Sequence, residues 1–227
     1  VFALSPEMKA YLAGGIEGRM LVRGRTELLV EALYKKSELK LDYDSVLTRN
    51  AAQAFAARSG NCLSLVIMTA AFAKELGIPV RYQTVVTDEL WGRNGGIDFV
   101  IDHINLTLGQ RIGGAHWAGP FTEAVTIDFL PPADLRGQKQ HVLSEATVLA
   151  MYMNNRAAET LAQGRLDDAY WFAREAIVQD PGFVRALNTL GVVYRRHGDS
   201  ALAERALRAA YARQADNPQI VFNLAQV

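Results

Sequence analysis

The sequence has a single cysteine, no surplus of either charge and no long apolar run. Lys plus Arg number 24 and Asp plus Glu number 24, so the formal net charge is zero. Without a net charge, no long-range field draws in an anionic partner, which argues against nucleic acid as the main ligand. No apolar run approaches the roughly 20 residues of a membrane span, so we expect a globular chain without one.

The small supply of cysteine and histidine also limits disulfides and metal sites. A lone Cys62 cannot form an internal disulfide, so it is either a small buried hydrophobic residue or a functional thiol. No two of the four histidines and the cysteine stand at the spacing of metal ligands, and no Asp-rich calcium loop is present. We therefore expect neither a metal site nor a cofactor.

Hydrophobic periodicity predicts helices in the first third of the chain. Residues 5–58 have a helical pattern with a break at 40–45. From Cys62 to Leu76 almost every residue is apolar, which is typical of a helix buried nearly all round. The Gly-Ile-Pro run at 77–79 then gives this helix a C-terminal stop.

After residue 79 the pattern changes from helical to strand-like. β-Branched or alternating segments predict three strands, at 80–86, 103–108 and 125–129. Two Gly-containing segments between them, 87–101 and 109–124, predict loops, and loops of this length are usually functional or disordered. Trp91 and Trp117 lie one in each loop, and we expect them to wall a cleft. Ordinary anchoring of the loops is the alternative.

From about residue 150, small residues recur at a fixed period. Gly and Ala stand 34 residues apart in five pairs: Ala157 and Gly191, Gly191 and Ala225, Gly164 and Gly198, Ala169 and Ala203, and Ala176 and Ala210. Small residues at such intervals allow paired helices to approach closely. The segment 141–227 therefore resembles tetratricopeptide repeats, with two complete units and the start of a third. The resemblance implies a right-handed superhelix of helix pairs that binds a protein partner.

Two asparagines share this period. Asn154 and Asn188 are 34 residues apart, on the first helix of successive units, where a concave groove would be lined. An Asn amide can donate and accept hydrogen bonds, which suits the capture of an extended peptide's backbone. We expect a partner groove at these residues, with an ordinary solvated helix face as the alternative.

Cys62 stands at the first turn of its predicted helix, directly after Gly60 and Asn61. Backbone N–H groups and the positive end of the helix dipole favour an anion at this position, and the thiolate is the nucleophilic form of cysteine. Simple packing beside Leu65 and Val66 is the alternative, but burial alone does not require the start of a helix. We count Asn61 among the candidate cleft residues.

Strand alternation brings a histidine and a carboxylate to polar faces. In the second predicted strand, His103 and Asn105 lie opposite the aliphatic side chains, and in the third Asp128 lies on the polar side. If these strands are neighbours, His103 and Asp128 can share a face and hydrogen-bond. Such a pair would supply a base for Cys62 and a carboxylate that fixes the imidazole tautomer.

The run from 51 to 79 has Arg-Ser-Gly-Asn before its Cys and Leu-Gly-Ile-Pro at its exit, and it resembles the nucleophile helix of transglutaminase-like proteins. In that superfamily a Cys at a helix start is followed by a strand His and then a strand Asp. Cys62, His103 and Asp128 match those roles in that order. The resemblance implies that these three residues form a catalytic triad.

The resemblance also implies a fold and an architecture. We expect an α+β fold, with the Cys-bearing helix packed on a small antiparallel sheet, in a catalytic domain over 1–140 that precedes repeats over 141–227. Fusion to such repeats is similar to bacterial members of the superfamily. Many relatives have an aromatic residue where this chain has Asn105, and Pro where it has Phe129. The chain begins at Val1 without a leader, so we expect a processed or trimmed start and a bacterial cytoplasmic or envelope location.

The implied function is acyl transfer through a thioester on Cys62. With water as acceptor, the protein would be a cysteine peptidase or amidase acting on a protein or peptide, and transfer to an amine would use the same residues. The alternative is a non-catalytic scaffold in which the repeats bind a protein. His116, beside Trp117, is the second choice for the base, and we expect His141 and His197 to be solvated.

Overall fold

The structure is a computed structural model that describes residues 1–16, 24–34, 39, 41–94, 97–109, 124–129 and 140–227. The chain divides into two compact units. The first unit comprises Val1–Leu90 and Ile101–Leu143, and the second comprises Trp91–Val100 and Ser144–Val227.

Short helices make up the N-terminal part of the first unit. They are α1 (Pro6–Tyr11), a π-helical turn (Leu12–Ile16), α2 (Arg25–Tyr34), α3 (Ala51–Ala57) and α4 (Cys62–Glu75). Two-residue strands β1 (Asp42–Tyr43) and β2 (Ser59–Gly60) pair in parallel between them. The helical pattern predicted for 5–58 is therefore right for α1 to α3, and β1 lies within the break that was predicted at 40–45.

Helix α4 forms the centre of the first unit. Every residue from Cys62 to Ala73 is buried, which confirms the prediction of a helix buried nearly all round. Its Phe72 ring lies 6.0 Å from Tyr11 and 5.7 Å from Phe55, measured between ring centroids. Helices α2 and α3 both contact α4, so packing from more than one neighbour holds this helix.

Most of a four-stranded sheet belongs to the first unit, and its strand order is β5-β4-β3-β6. The strands are β3 (Val80–Asn94), β4 (Ile97–Leu108), β5 (Val125–Ile127) and β6 (Gln140–Leu143). Antiparallel pairing sets Leu106 opposite Ile127 and Tyr82 opposite Leu143. Ile104, Leu106 and Leu108 on β4 are fully buried, as their alternation predicted. The α+β fold with a small antiparallel sheet is therefore confirmed.

The prediction of a loop at 87–101 is wrong. Strands β3 and β4 extend through most of this segment as neighbours in the sheet, and Trp91 lies within β3. Pairing between strands satisfies the backbone whatever the local propensity, so glycines that signal a loop in the sequence can occupy a strand. The other predicted loop, at 109–124, falls almost wholly outside the described residues.

The second unit consists mainly of helices. They are α5 (Glu145–Ala162), α6 (Leu166–Gln179), α7 (Val184–His197), α8 (Ser200–Tyr211) and α9 (Pro218–Leu224). Each packs against the next, while α5 also contacts α7 and α7 contacts α9. None of the described helices is long and apolar enough to cross a membrane.

The repeated small residues have matching roles in successive helix pairs. Gly164 and Gly198 end helices in the left-handed region, with φ of 77° and 98°, which favours glycine. Ala169 and Ala203 are both fully buried. A Cβ on Gly191 would lie 2.5 Å from Cγ of Leu207, so that helix contact needs a glycine. The 34-residue period therefore reflects equivalent close contacts between helices.

Candidate active site

The first turn of α4 is capped by the side chain that precedes Cys62. Oδ1 of Asn61 accepts hydrogen bonds from the Ser64 backbone N–H at 2.9 Å and from Ser64 Oγ at 2.7 Å. Its Nδ2 donates to Thr48 Oγ1 at 2.9 Å. Asn61, predicted as a cleft residue, thus fixes the start of the helix that carries the thiol.

The segment before α4 is fastened to the same helix start. Tyr43 pairs with Gly60 across the two short strands, and the Asp44 N–H donates to the Gly60 carbonyl at 3.0 Å. The Arg49 N–H donates to Ser64 Oγ at 2.8 Å. A Cβ on Gly60 would lie 2.6 Å from Cβ of Ser64, so only glycine permits this approach. The position of Cys62 is therefore set by contacts on both sides.

His103 and Asp128 meet at one edge of the sheet. Nε2 of His103 lies 2.8 Å from Oδ1 and 2.8 Å from Oδ2 of Asp128. The imidazole is 1% exposed and the Asp128 side chain is 14% exposed. The Tyr34 hydroxyl also donates to the backbone carbonyl of Asp128 at 3.1 Å. The structure thus brings together the histidine and the carboxylate that strand alternation placed on polar faces.

This contact changes the charge of the imidazole. Burial alone lowers the pKa of His103, but hydrogen bonds to Asp128 and then to Cys62 outweigh burial and raise the pKa from 6.5 to about 9. Nδ1 makes no hydrogen bond of ordinary geometry to a described residue, although the Cys62 thiol is near enough to contribute to this pKa. With a pKa of about 9, His103 is positively charged at neutral pH.

The thiol of Cys62 lies in the same neighbourhood and is itself buried. Its side chain is 4% exposed. The half-exposed Tyr43 has its pKa raised by burial and, to a smaller extent, by its electrostatic interaction with Cys62. Cys62 therefore interacts electrostatically with both His103 and Tyr43.

One polar residue in the site had no assigned role in the sequence prediction. Nδ2 of Asn105 donates to Asp128 Oδ2 at 2.9 Å, and Asn105 is 2% exposed. Strand alternation already placed Asn105 on the same face as His103, which is the signal that could have identified it. The hydrogen bond itself depends on the β4–β5 register, which no local pattern encodes.

The other histidines that the structure describes, His141 and His197, do not join this cluster. His141 is exposed on β6. His197 is exposed and its Nδ1 lies 2.8 Å from Asp199 Oδ2. His116 and Trp117 lie outside the described residues. Trp91 lies in β3 rather than in a loop.

The two asparagines predicted to line a partner groove differ in their surroundings. Asn188 is 5% exposed, and its Oδ1 accepts a hydrogen bond from Nδ2 of Asn223 at 3.0 Å. This hydrogen bond between α7 and α9 satisfies the side-chain carbonyl of Asn188 within the chain, so a bound partner is not needed to explain its burial. Asn154 is partly buried, and its Oδ1 is buried without a hydrogen bond to a described residue.

The residues at this site do not form a metal centre. Among the described residues, no group of three or more His, Cys, Asp or Glu side chains is arranged to hold a metal ion. The chemistry that the cluster can perform is that of a thiol beside a charged imidazole whose other nitrogen contacts a carboxylate. This arrangement activates a nucleophile and supplies a proton donor.

Comparison with known proteins gives two similarities. A family profile described as "Transglutaminase-like superfamily" matches residues 25–156, a span that includes Cys62, His103 and Asp128. The human protein "Tetratricopeptide repeat protein 7A" is 32% identical over 110 residues, which cover 42% of this chain. The matched region spans 13% of the length of that human protein.

Proposed function

The chain belongs to the transglutaminase-like superfamily, and from that premise we propose that it transfers acyl groups through a thioester on Cys62. His103 would act as the acid and base, and Asp128 would hold its imidazole. The favoured reaction is hydrolysis of a peptide or amide bond in a protein or peptide substrate. The contact of His103 Nε2 with both Asp128 oxygens, at 2.8 Å each, carries this proposal because it leaves Nδ1 for the sulfur.

In the acylation half of the proposed reaction, the Cys62 thiolate attacks the substrate carbonyl carbon. A C–S bond forms and the carbonyl electron pair moves to oxygen. The tetrahedral intermediate then collapses, the C–N bond breaks, and His103 gives its Nδ1 proton to the leaving amine. Because the pKa of His103 is about 9, this proton is present at neutral pH.

In the deacylation half, the neutral His103 takes a proton from water. The resulting hydroxide attacks the thioester, the C–S bond breaks, and the Cys62 thiolate is released beside the charged imidazole. The Cys62 backbone N–H belongs to the first turn of α4, whose N–H groups point out of the helix, and it would stabilise the oxyanion in both halves. Transfer to a primary amine would follow the same steps, with the amine in place of water.

The helices of the second unit would serve recruitment. Their 34-residue period of small residues and their sequential packing support tetratricopeptide repeats over 141–227, alongside a catalytic domain over 1–140. The similarity to a human protein named for such repeats supports the same interpretation. In this proposal the repeats bind a protein substrate or a partner that delivers one.

A covalent probe tests the catalytic proposal. A library of peptides with a C-terminal thiol-reactive group should label the single cysteine, and the label should map to Cys62 by mass spectrometry. The expected result is labelling that depends on the peptide sequence and is lost in His103→Gln. Adding a tagged primary amine to reactions with the preferred peptide amide would then separate amine transfer from hydrolysis.

A second candidate function is a non-catalytic scaffold that binds a protein through its repeats. The burial of Cys62, at 4% exposure, favours this candidate because a substrate must reach the sulfur. Under the scaffold hypothesis, the thiol reacts more slowly in the folded chain than in the unfolded chain. The catalytic proposal predicts the opposite order.

A further inference from the structure

We infer that Asn105 is a positioning residue that holds the Asp128 carboxylate against His103, and this inference rests on the proposed function. Antiparallel pairing sets Leu106 opposite Ile127, so their neighbours Asn105 and Asp128 come together across β4 and β5. Nδ2 of Asn105 donates to Oδ2 of Asp128 at 2.9 Å. The carboxylate therefore contacts two side chains of the same strand face.

The orientation of the Asn105 amide follows from the charge that it meets. An ionised carboxylate only accepts hydrogen bonds, so the amide must turn its N–H group towards Asp128. Its own Oδ1 is then left buried without a hydrogen bond to a described residue. A buried polar atom of this kind is costly. An apolar side chain at this position would avoid that cost, but it would leave Oδ2 of Asp128 without this donor.

The hydrogen bond limits how the carboxylate can turn. Asp128 follows the last residue of β5, where the ladder of strand hydrogen bonds has ended. Tyr34 holds its backbone carbonyl at 3.1 Å, and Asn105 holds its side chain. With both fixed, Oδ1 and Oδ2 stay 2.8 Å from Nε2 of His103, and the opposite nitrogen stays available to the thiol.

Asn105→Leu tests this inference, with Thr107→Val as the matched control. Thr107 lies on the same strand face and is 3% exposed. It accepts a hydrogen bond from Gln83 Nε2 at 2.6 Å and lies 3.0 Å from Thr126 Oγ1, so its replacement also removes buried polar contacts. The hydrogen bonds of Thr107 do not involve Asp128, so only the variant at 105 should affect the imidazole.

Two measurements distinguish positioning from a structural role. NMR titration should show the pKa of His103 falling in Asn105→Leu, because burial still lowers the pKa while the carboxylate is no longer held in place. Alkylation of Cys62 by iodoacetamide should slow about tenfold, since the imidazole would no longer be held in place beside the sulfur. Thr107→Val should leave both values unchanged. In an Asp128→Asn background, Asn105→Leu should cause no further change in the pKa of His103 or in the alkylation rate of Cys62.

Several results would overturn the inference. One is an unchanged or higher pKa of His103 in Asn105→Leu. Another is a double variant of Asn105→Leu and Asp128→Asn whose alkylation rate falls by the product of the two single losses. The third is a loss of alkylation rate in Thr107→Val equal to that in Asn105→Leu. If Asn105→Leu does not fold, as judged by circular dichroism, Asn105→Ala removes the same amide without adding bulk. The titration tests the positioning role of Asn105 even if the thiol proves unreactive. An alkylation rate that is the same in the wild type and in His103→Gln would contradict only the acyl-transfer proposal.

Discussion

Nε2 of His103 lies 2.8 Å from each carboxylate oxygen of Asp128, although 25 residues separate the two in the chain. Such a contact turns one nitrogen of the ring to the carboxylate and leaves the other for a neighbour. The neighbour that affects the imidazole most after Asp128 is Cys62.

Removing the carboxylate should lower the pKa of His103. In Asp128→Asn, burial still disfavours the imidazolium, while the strongest stabilising contact is lost. We expect the pKa to fall from about 9 by about two units or more. NMR titration of the histidine ring protons measures it, with His103→Gln used for assignment. Asp199→Asn is the matched control, because its carboxylate contacts the exposed His197. That control should leave the pKa of His103 unchanged.

The same contact should make stability depend on pH. The pKa of His103 is about 9 when folded and 6.5 in the reference state, so the folded chain binds the proton more tightly. The stabilisation is fully present below pH 6.5 and is lost as pH rises through about 9, at most about 3 kcal/mol. Urea unfolding across this range measures it. A His103→Gln variant with the same pH dependence as the wild type would contradict the assignment to this residue.

Gly60→Ala should disturb the start of α4. The added Cβ would lie 2.6 Å from Cβ of Ser64, so either the strand or the helix must shift. We expect a loss of about 1–3 kcal/mol in the free energy of unfolding, together with slower alkylation of Cys62. Gly24→Ala is the control, because nothing lies within 4 Å of the added atom. A variant at 60 that matches the control in denaturant unfolding would show that the close approach is not required.

Loss of the cap on α4 should affect reactivity as well as stability. Asn61→Ala removes the hydrogen bonds to Ser64 and Thr48, and we expect a cost of about 0.5–2 kcal/mol. Ser144→Ala removes the equivalent cap of α5, where Ser144 Oγ accepts from the Thr147 N–H at 3.0 Å. Both variants should melt earlier, but only Asn61→Ala should slow alkylation. Equal alkylation rates in the two variants would show that the cap of α4 does not affect the reactivity of the thiol.

The sequence could predict the elements whose signals are local. Helix α4 was predicted from a mostly apolar stretch that is followed by Gly-Ile-Pro, and the buried face of β4 was predicted from strict alternation. Alternation also put His103 and Asp128 on polar faces, which made their contact conceivable. Each of these features depends on residues within a few positions of one another.

Features that depend on pairing between distant segments could not be predicted in the same way. The β1–β2 pairing joins residues 42–43 to 59–60, and each strand is too short to show a period. The strand residues 87–94 and 97–101 were missed because the glycines of this segment signal a loop in the absence of a partner strand. Asn105 was on the correct face, but its bond to Asp128 depends on the register of two strands. Such information is tertiary, not local.

The rate at which iodoacetamide alkylates Cys62 at neutral pH tests the central claim most directly, because the chain has no other cysteine. If Cys62 is a thiolate held beside a charged imidazole, the folded chain reacts faster than the urea-unfolded chain, and His103→Gln lowers the folded rate about tenfold or more. A folded rate below the unfolded rate and unchanged in His103→Gln would contradict the account and leave Cys62 as a buried structural residue.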